Sequence, residues 1–169
     1  MRSVPHWQST IICLYPSLIV TSERDIVADE STKLRLLESG TLTLGLDDAQ
    51  ILEVIKWAEP TPLPFAPDVV LGIASVQGRM FTVVDVARLF DGEPSSNRKL
   101  MVALKGDEQL ALAVDNADVT ANYDQLDDHP TSTIAKGVAS INGSEIVVID
   151  HEQLFAGVIR GRERRKRRL

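Results

Sequence analysis

The sequence predicts a mainly β protein built from two pseudo-symmetric small barrels with short helices. Three observations lead there. The stretch 72–90, GIASVQGRMFTVVDVARLF, returns at 137–155 as GVASINGSEIVVIDHEQLF, at an offset of 65 without a gap and with eight of nineteen positions identical. Ordinary amino-acid frequencies would give about one identity, so the chain contains a duplication. Short apolar runs alternate with turn residues at close spacing, the pattern of small closed sheets that hide their edges. Hydrophobic residues make up 44% of the chain but aromatics only 5%, so the core is aliphatic and suits half-buried strands better than a large aromatic ligand cavity.

The elements follow in order. Residues 1–32 read as an irregular extension; their apolar run 10–20 is interrupted by Pro16, falls short of the roughly 20 residues of a spanning helix and has no A-x-A cleavage site after it. Runs 34–37 and 41–46 are strands joined through Glu38-Ser39-Gly40. In 47–57 the positions Ile51, Val54 and Ile55 have helical spacing, which predicts a helix ending at Trp57. Four prolines in 59–67 make an extended crossing loop.

Each copy of the repeat then reads as a hairpin followed by a short helix. Asn142-Gly143 favours a type I′ turn, and Gln77-Gly78 holds the same place in the first copy. Asp85 and Asp150 stand where helix N-caps belong, Asp150 with Gln153 as a capping box. Leu89-Phe90 and Leu154-Phe155 would plug each helix onto the core, and Gly92 and Gly157 would stop it. Between the copies, 100–104 and 109–114 are strands joined by a turn at Lys105-Gly106-Asp107. Lobes this small are marginal alone, so they are expected to share apolar surface.

The net charge of −6 divides sharply. Residues 160–169 hold seven of the 18 bases and one of the 24 acids, leaving 11 bases against 23 acids elsewhere, so the body carries −12 and the tail +6. An acidic body repels nucleic acid. The tail reads as a solvated end, with weak attraction to an anionic membrane as its functional alternative.

Catalytic and metal chemistry find little support. Cys13 is the single cysteine, which excludes an intrachain disulfide and a cysteine zinc cage. His6, His129 and His151 are scattered, no His-Glu-x-x-His occurs, and no phosphate-binding glycine loop or Gly-x-Ser-x-Gly elbow is present. Asp85 and Asp150 are repeat mates, which raises a two-lobed aspartic dyad; the neighbours Asp85-Val86-Ala87 and Asp150-His151-Glu152 lack the Asp-Thr-Gly turn, and capping explains both. Trp7 and Trp57 read as core rather than partner anchors. The expectation is no catalytic residue, no cofactor and no metal.

The run Ile51-Leu52-Glu53-Val54-Ile55, then Pro67, then Gly72-Ile73-Ala74-Ser75-Val76-Gln77-Gly78-Arg79 and Val83-Val84-Asp85-Val86, resembles the first lobe of the CheW family. Residues 110–115 with Val119, and 136–150 with Leu154-Phe155, resemble its second lobe. The likeness implies two five-stranded SH3-like barrels in a domain at 33–158, with a first lobe of about 41–98 and a second of about 99–150 that takes in strand 33–38 by exchange; the extension 1–32 and the basic tail at 159–169 lie outside the family pattern. It implies a non-catalytic cytoplasmic adaptor, placed at the inner face of the membrane in receptor clusters, that holds a chemoreceptor cytoplasmic tip and the regulatory domain of a CheA-type histidine kinase. The partner-binding residues it implies are Ile51, Glu53, Gly72, Ser75, Val76, Gln77 and Gly78. The family usually has Asn-Leu-Arg-Gly where this chain has Ser75-Val76-Gln77-Gly78, and Gln77 supplies neither the charge nor the planar fork of an arginine. The alternative is a regulator attached to membrane or nucleic acid through its basic tail.

Overall fold

The computed structural model describes residues 33–123, 126–127 and 132–166, the last eight of these as backbone only. The expected irregular extension 1–32, with His6, Trp7 and Cys13, and also His129, lie outside the described residues. The strands are β1 (Lys33–Ser39), β2 (Leu42–Asp47), β3 (Ile51–Lys56), β4 (Val70–Val76), β5 (Arg79–Asp85), β6 (Leu100–Leu104), β7 (Leu110–Val114), β8 (Thr120–Asn122), β9 (Leu126–Asp127), β10 (Ala135–Ile141) and β11 (Ser144–Ile149). Two helices, α1 (Val86–Leu89) and α2 (His151–Lys166), follow β5 and β11.

The strands form two sheets, one ordered β3-β6-β7-β5-β4 and the other β8-β1-β2-β11-β10-β9. The duplication is visible in the hydrogen-bond register. In the first hairpin Val70 faces Val84, Gly72 faces Val83 and Val76 faces Arg79, with a bulge between Val70 and Gly72. In the second, Ala135 faces Ile149, Gly137 faces Val148 and Ile141 faces Ser144, with a bulge at the same place. Each of these pairs is the other displaced by 65. Beyond the hairpins, β5 runs parallel to β7 as β11 runs parallel to β2. The amino-terminal hairpin β1-β2 thus fills in the second sheet the place that β6-β7 fills in the first.

That placement corrects the lobe limits. The first sheet spans 51–114, not 41–98, and the second takes the whole β1-β2 hairpin, not the 33–38 strand alone. The second sheet also has a sixth strand, the two-residue β9, which pairs with β10; its counterpart in the first lobe is a single bridge between Thr61 and Ile73. These crossing segments explain the repeated glycine. A Cβ on Gly72, at φ +151°, would sit 2.3 Å from the Thr61 carbonyl oxygen, and one on Gly137 would sit 2.6 Å from that of Asp127. Only glycine lets the crossing chain lie so close.

Both hairpins close on the same turn. Gln77 and Gly78 have φ of 50° and 77°, Asn142 and Gly143 have 51° and 78°, the left-handed pair that a type I′ turn requires.

Alternation along the strands feeds three cores. One face of the first sheet surrounds Ala74, Val76, Phe81, Val83, Met101, Ala103, Ala111 and Ala113, with Leu52, Ile55 and Trp57 packed on them. Both edge strands, β3 and β4, supply that face, so the sheet curls around its own filling. The second sheet does likewise around Leu34, Ala139, Ile141, Ile146 and Val148. The other faces meet: Leu37, Leu44 and Leu46 pack with Val102, Leu104, Leu112 and Val114, and with Leu154 and Val158 of α2. At about 1.5–3 kcal/mol per large aliphatic side chain fully buried, this shared core makes the two lobes one unit.

Residues 47–57 depart from the expected helix. Only a 3-10 turn, Asp48–Gln50, forms before β3. Ile51 and Val54 face the shared core while Leu52 and Ile55 face the lobe's own, so both faces of the strand are apolar and its spacing imitates a helix. Two further expectations fail at α2. The helix passes through Gly157 to Lys166 instead of stopping, and of the pair Leu154-Phe155 only Leu154 is buried, Phe155 being 44% exposed. The Asp150-Gln153 capping box is not made either, because the Asp150 N–H is taken by the Ile134 carbonyl at 2.9 Å; Asp150 still caps, accepting from the Glu152 N–H at 3.0 Å.

Candidate functional site

Strand direction gathers the candidate contacts. β3 is antiparallel to β6, β6 to β7, β7 is parallel to β5, and β5 is antiparallel to β4. The start of β3, with Ile51 and Glu53, therefore lies at the same end of the first sheet as the close of β4 and its turn, with Ser75, Gln77 and Gly78. The two edge strands of the curled sheet bring these five residues to one end. Ser75, Gln77 and Gly78 are exposed, Ile51 and Glu53 half-buried.

The remaining two candidates do not face outward. Val76 is 2% exposed and belongs to the lobe's own core, and Gly72 is buried beneath Thr61. Their contribution is to seat the turn and the crossing loop.

Two features of this end were not anticipated. The Glu53 side chain carries a buried oxygen, Oε2, with no hydrogen-bond partner among the described residues, a costly arrangement for a carboxylate. Met80 faces Ser75 across the hairpin and is 56% exposed. A signal for Met80 lay in the repeat: its mate is Glu145, so an apolar side chain occupies a position whose twin is charged. Lys105 stands at the same end, its Nζ donating to the Ala49 carbonyl at 2.7 Å.

At the opposite end of β5, Asp85 is fully buried. Its Oδ1 accepts from the Ala87 and Arg88 N–H groups at 3.1 and 3.4 Å, the N-cap its sequence position predicts. Its Oδ2 accepts from Arg98 at 2.6 Å, and that guanidinium lies 5.9 Å from the centre of the Trp57 ring. Asp85 thus ties α1, the segment before β6 and the end of β3 together. With its oxygens committed to backbone amides and a cation, it has no place in a carboxylate pair sharing a proton; Asp150 caps its own helix separately. Among the described residues no group of three or more His, Cys, Asp or Glu is placed to hold a metal, and no helix is long and apolar enough to cross a membrane.

The family model described as CheW-like domain matches residues 34–158. The chain belongs to the CheW-like family. The "Chemotaxis protein CheW" of Rhizobium meliloti is 27% identical over 116 residues, covering 62% of this chain and 75% of that protein. The crystal structure of the scaffolding protein TtCheW from Thermoanaerobacter tengcongensis superposes with a TM-score of 0.66 at 22% identity, covering 73% of this chain and 87% of that one. A CheW-like domain is a non-catalytic scaffold, and the two-lobed β fold found here is its architecture. The capping role of Asp85 agrees with that: the most buried acid in the repeat builds the framework.

Proposed function

We propose that the chain is an adaptor of chemotaxis-type signalling that couples a chemoreceptor cytoplasmic tip to the regulatory domain of a CheA-type histidine kinase, on the cytoplasmic side of the membrane within receptor clusters. The observation that carries this reading is the end of the first lobe, where Ile51, Glu53, Ser75, Gln77 and Gly78 assemble on a matched CheW-like domain. There a buried carboxylate oxygen lacks a donor among the described residues, and the exposed Gln77 sits in left-handed backbone. A partner that supplies a cationic or amide donor to Glu53 would relieve the first cost. Mechanism in such a protein is simultaneous binding, which raises the effective concentration of one partner near the other.

The test is binding with purified components from the same source: the full chain, a receptor-tip fragment and a kinase regulatory domain. The reading requires a ternary complex that co-elutes, and loss of one partner on changing Ser75 to Arg. Failure of the chain to bind either component refutes it.

The basic tail supports an accessory contact. Helix α2 continues beyond the core-packed Val158 through a segment that carries Arg160, Arg162, Arg164, Arg165 and Lys166, a charge density that attracts an anionic leaflet at about 1 kcal/mol per base. Deleting 160–169 leaves protein binding intact under the adaptor reading and abolishes binding to vesicles containing phosphatidylserine.

A further inference from the structure

We propose that the loop between β3 and β4 presents Phe65 as a preformed plug for an apolar pocket rimmed by lysine or arginine on the kinase regulatory domain. This rests on the adaptor reading and assigns one of its two partners to a second surface.

Phe65 is 98% exposed and has φ of +61°. It is the third residue of the turn from Leu63 to Ala66, closed by the Ala66 N–H and the Leu63 carbonyl at 3.4 Å, with Pro64 in second place. That third position asks for glycine or asparagine, and an aromatic residue there is strained. Among the described residues nothing offsets the strain, since the ring is almost wholly exposed. Leu63 beside it is 39% exposed.

The loop is also stiff. Pro60, Pro62, Pro64 and Pro67 fix its φ angles. Thr61 and Ile73 exchange both backbone hydrogen bonds at 2.8 Å, the Val70 N–H donates to the Pro67 carbonyl at 2.9 Å, and Arg88 donates to the Asp68 carbonyl at 2.7 Å. A rigid exposed aromatic side chain loses little freedom when it enters a pocket, which makes it an efficient anchor. The loop carries Glu59 and Asp68 and no base, on a body whose net charge is −12, and a basic pocket rim complements both.

Position keeps this surface apart from the first. The bridge of Thr61 to Ile73 is antiparallel, so the loop runs away from Val76 and turns over near Val70. Phe65 therefore stands at the other end of β4 from the Gln77-Gly78 turn. Two partners, one at each end, can bind together, as an adaptor requires.

Titration calorimetry of the full chain, as wild type, Phe65→Asn and Phe65→Gly, against the purified kinase regulatory domain and separately against the receptor-tip fragment decides the matter. Both variants are expected to bind the kinase domain at least about 30-fold more weakly, the loss of one anchor residue, with affinity for the receptor fragment unchanged. Phe65→Asn should raise Tm by about 2–4 °C as the turn relaxes. Kinase affinity within roughly threefold of wild type, or a loss confined to the receptor fragment, overturns the proposal, as does a lower Tm, which would reveal internal packing of the ring. A wild-type chain that binds neither component sinks the adaptor reading itself; one that binds both while the variants bind equally well sinks only the plug.

Discussion

Changing Asp85 to alanine separates the two copies of the repeat energetically. In the first copy the carboxylate caps α1 through two backbone N–H groups and pairs with Arg98 at 2.6 Å, while itself fully buried. Losing a cap costs about 1 kcal/mol, and removing one partner of a buried ion pair costs about 3–5 kcal/mol. The lower figure applies here, because the Arg98 side chain keeps 22% exposure and can turn toward water. The sum is about 4 kcal/mol, or roughly 10 °C in Tm for a chain of this size. In the second copy the Asp150 carboxylate accepts from Glu152 without burial, and its alanine variant should cost only the cap, about 1 kcal/mol. Urea unfolding followed by circular dichroism measures both, with a constant m-value as the condition for comparison. Equal losses for the two variants, or an Asp85→Asn chain as stable as wild type, would refute the assignment of Asp85 as the framework ion pair.

Gly72→Ala should destabilise by several kcal/mol, since its Cβ meets backbone at 2.3 Å, whereas Gly143→Ala, with open space around it, should cost only about 1–2 kcal/mol for the left-handed backbone; thermal unfolding orders the two. Gln77→Arg restores the charge that the family carries at this turn, and should tighten binding of a receptor-tip fragment by up to about tenfold, in a salt-dependent way, with Tm unchanged within about 1 °C. A tightening that survives high salt would mean that charge is not what the turn lacks.

The repeat made most of the fold legible before any coordinates. Its glycines, its turns and its capping aspartates each have one physical reason, and those reasons hold in both copies. What the sequence hid was non-local. Nothing in residues 33–47 announces that their hairpin pairs with β11, because parallel neighbours share no turn. The run Ile51 to Ile55 misled for a related reason: a strand with a core on each side has no polar face, so periodicity cannot tell it from a helix. At the candidate site, Glu53, Ser75 and Gln77 are nameable from the resemblance, but that β3 and the β4 turn lie at one end follows only from the strand directions. Gly72 and Val76 were drawn in by their neighbours along the chain, although a strand turns alternate residues inward. Phe65 was not singled out because four prolines announce an extended loop but say nothing of whether a phenylalanine within it is covered.

The hairpin that begins the described chain has a consequence for how the protein is made. Leu44 pairs with Val147, so strands that leave the ribosome early wait for a neighbour synthesised roughly a hundred residues later, and contacts of such long range form slowly. Until β11 emerges, the edge of β2 stays open to foreign strands. A chain that stops before β11 therefore keeps the β2 edge unpaired, an edge that the second half of the duplication covers in the finished fold.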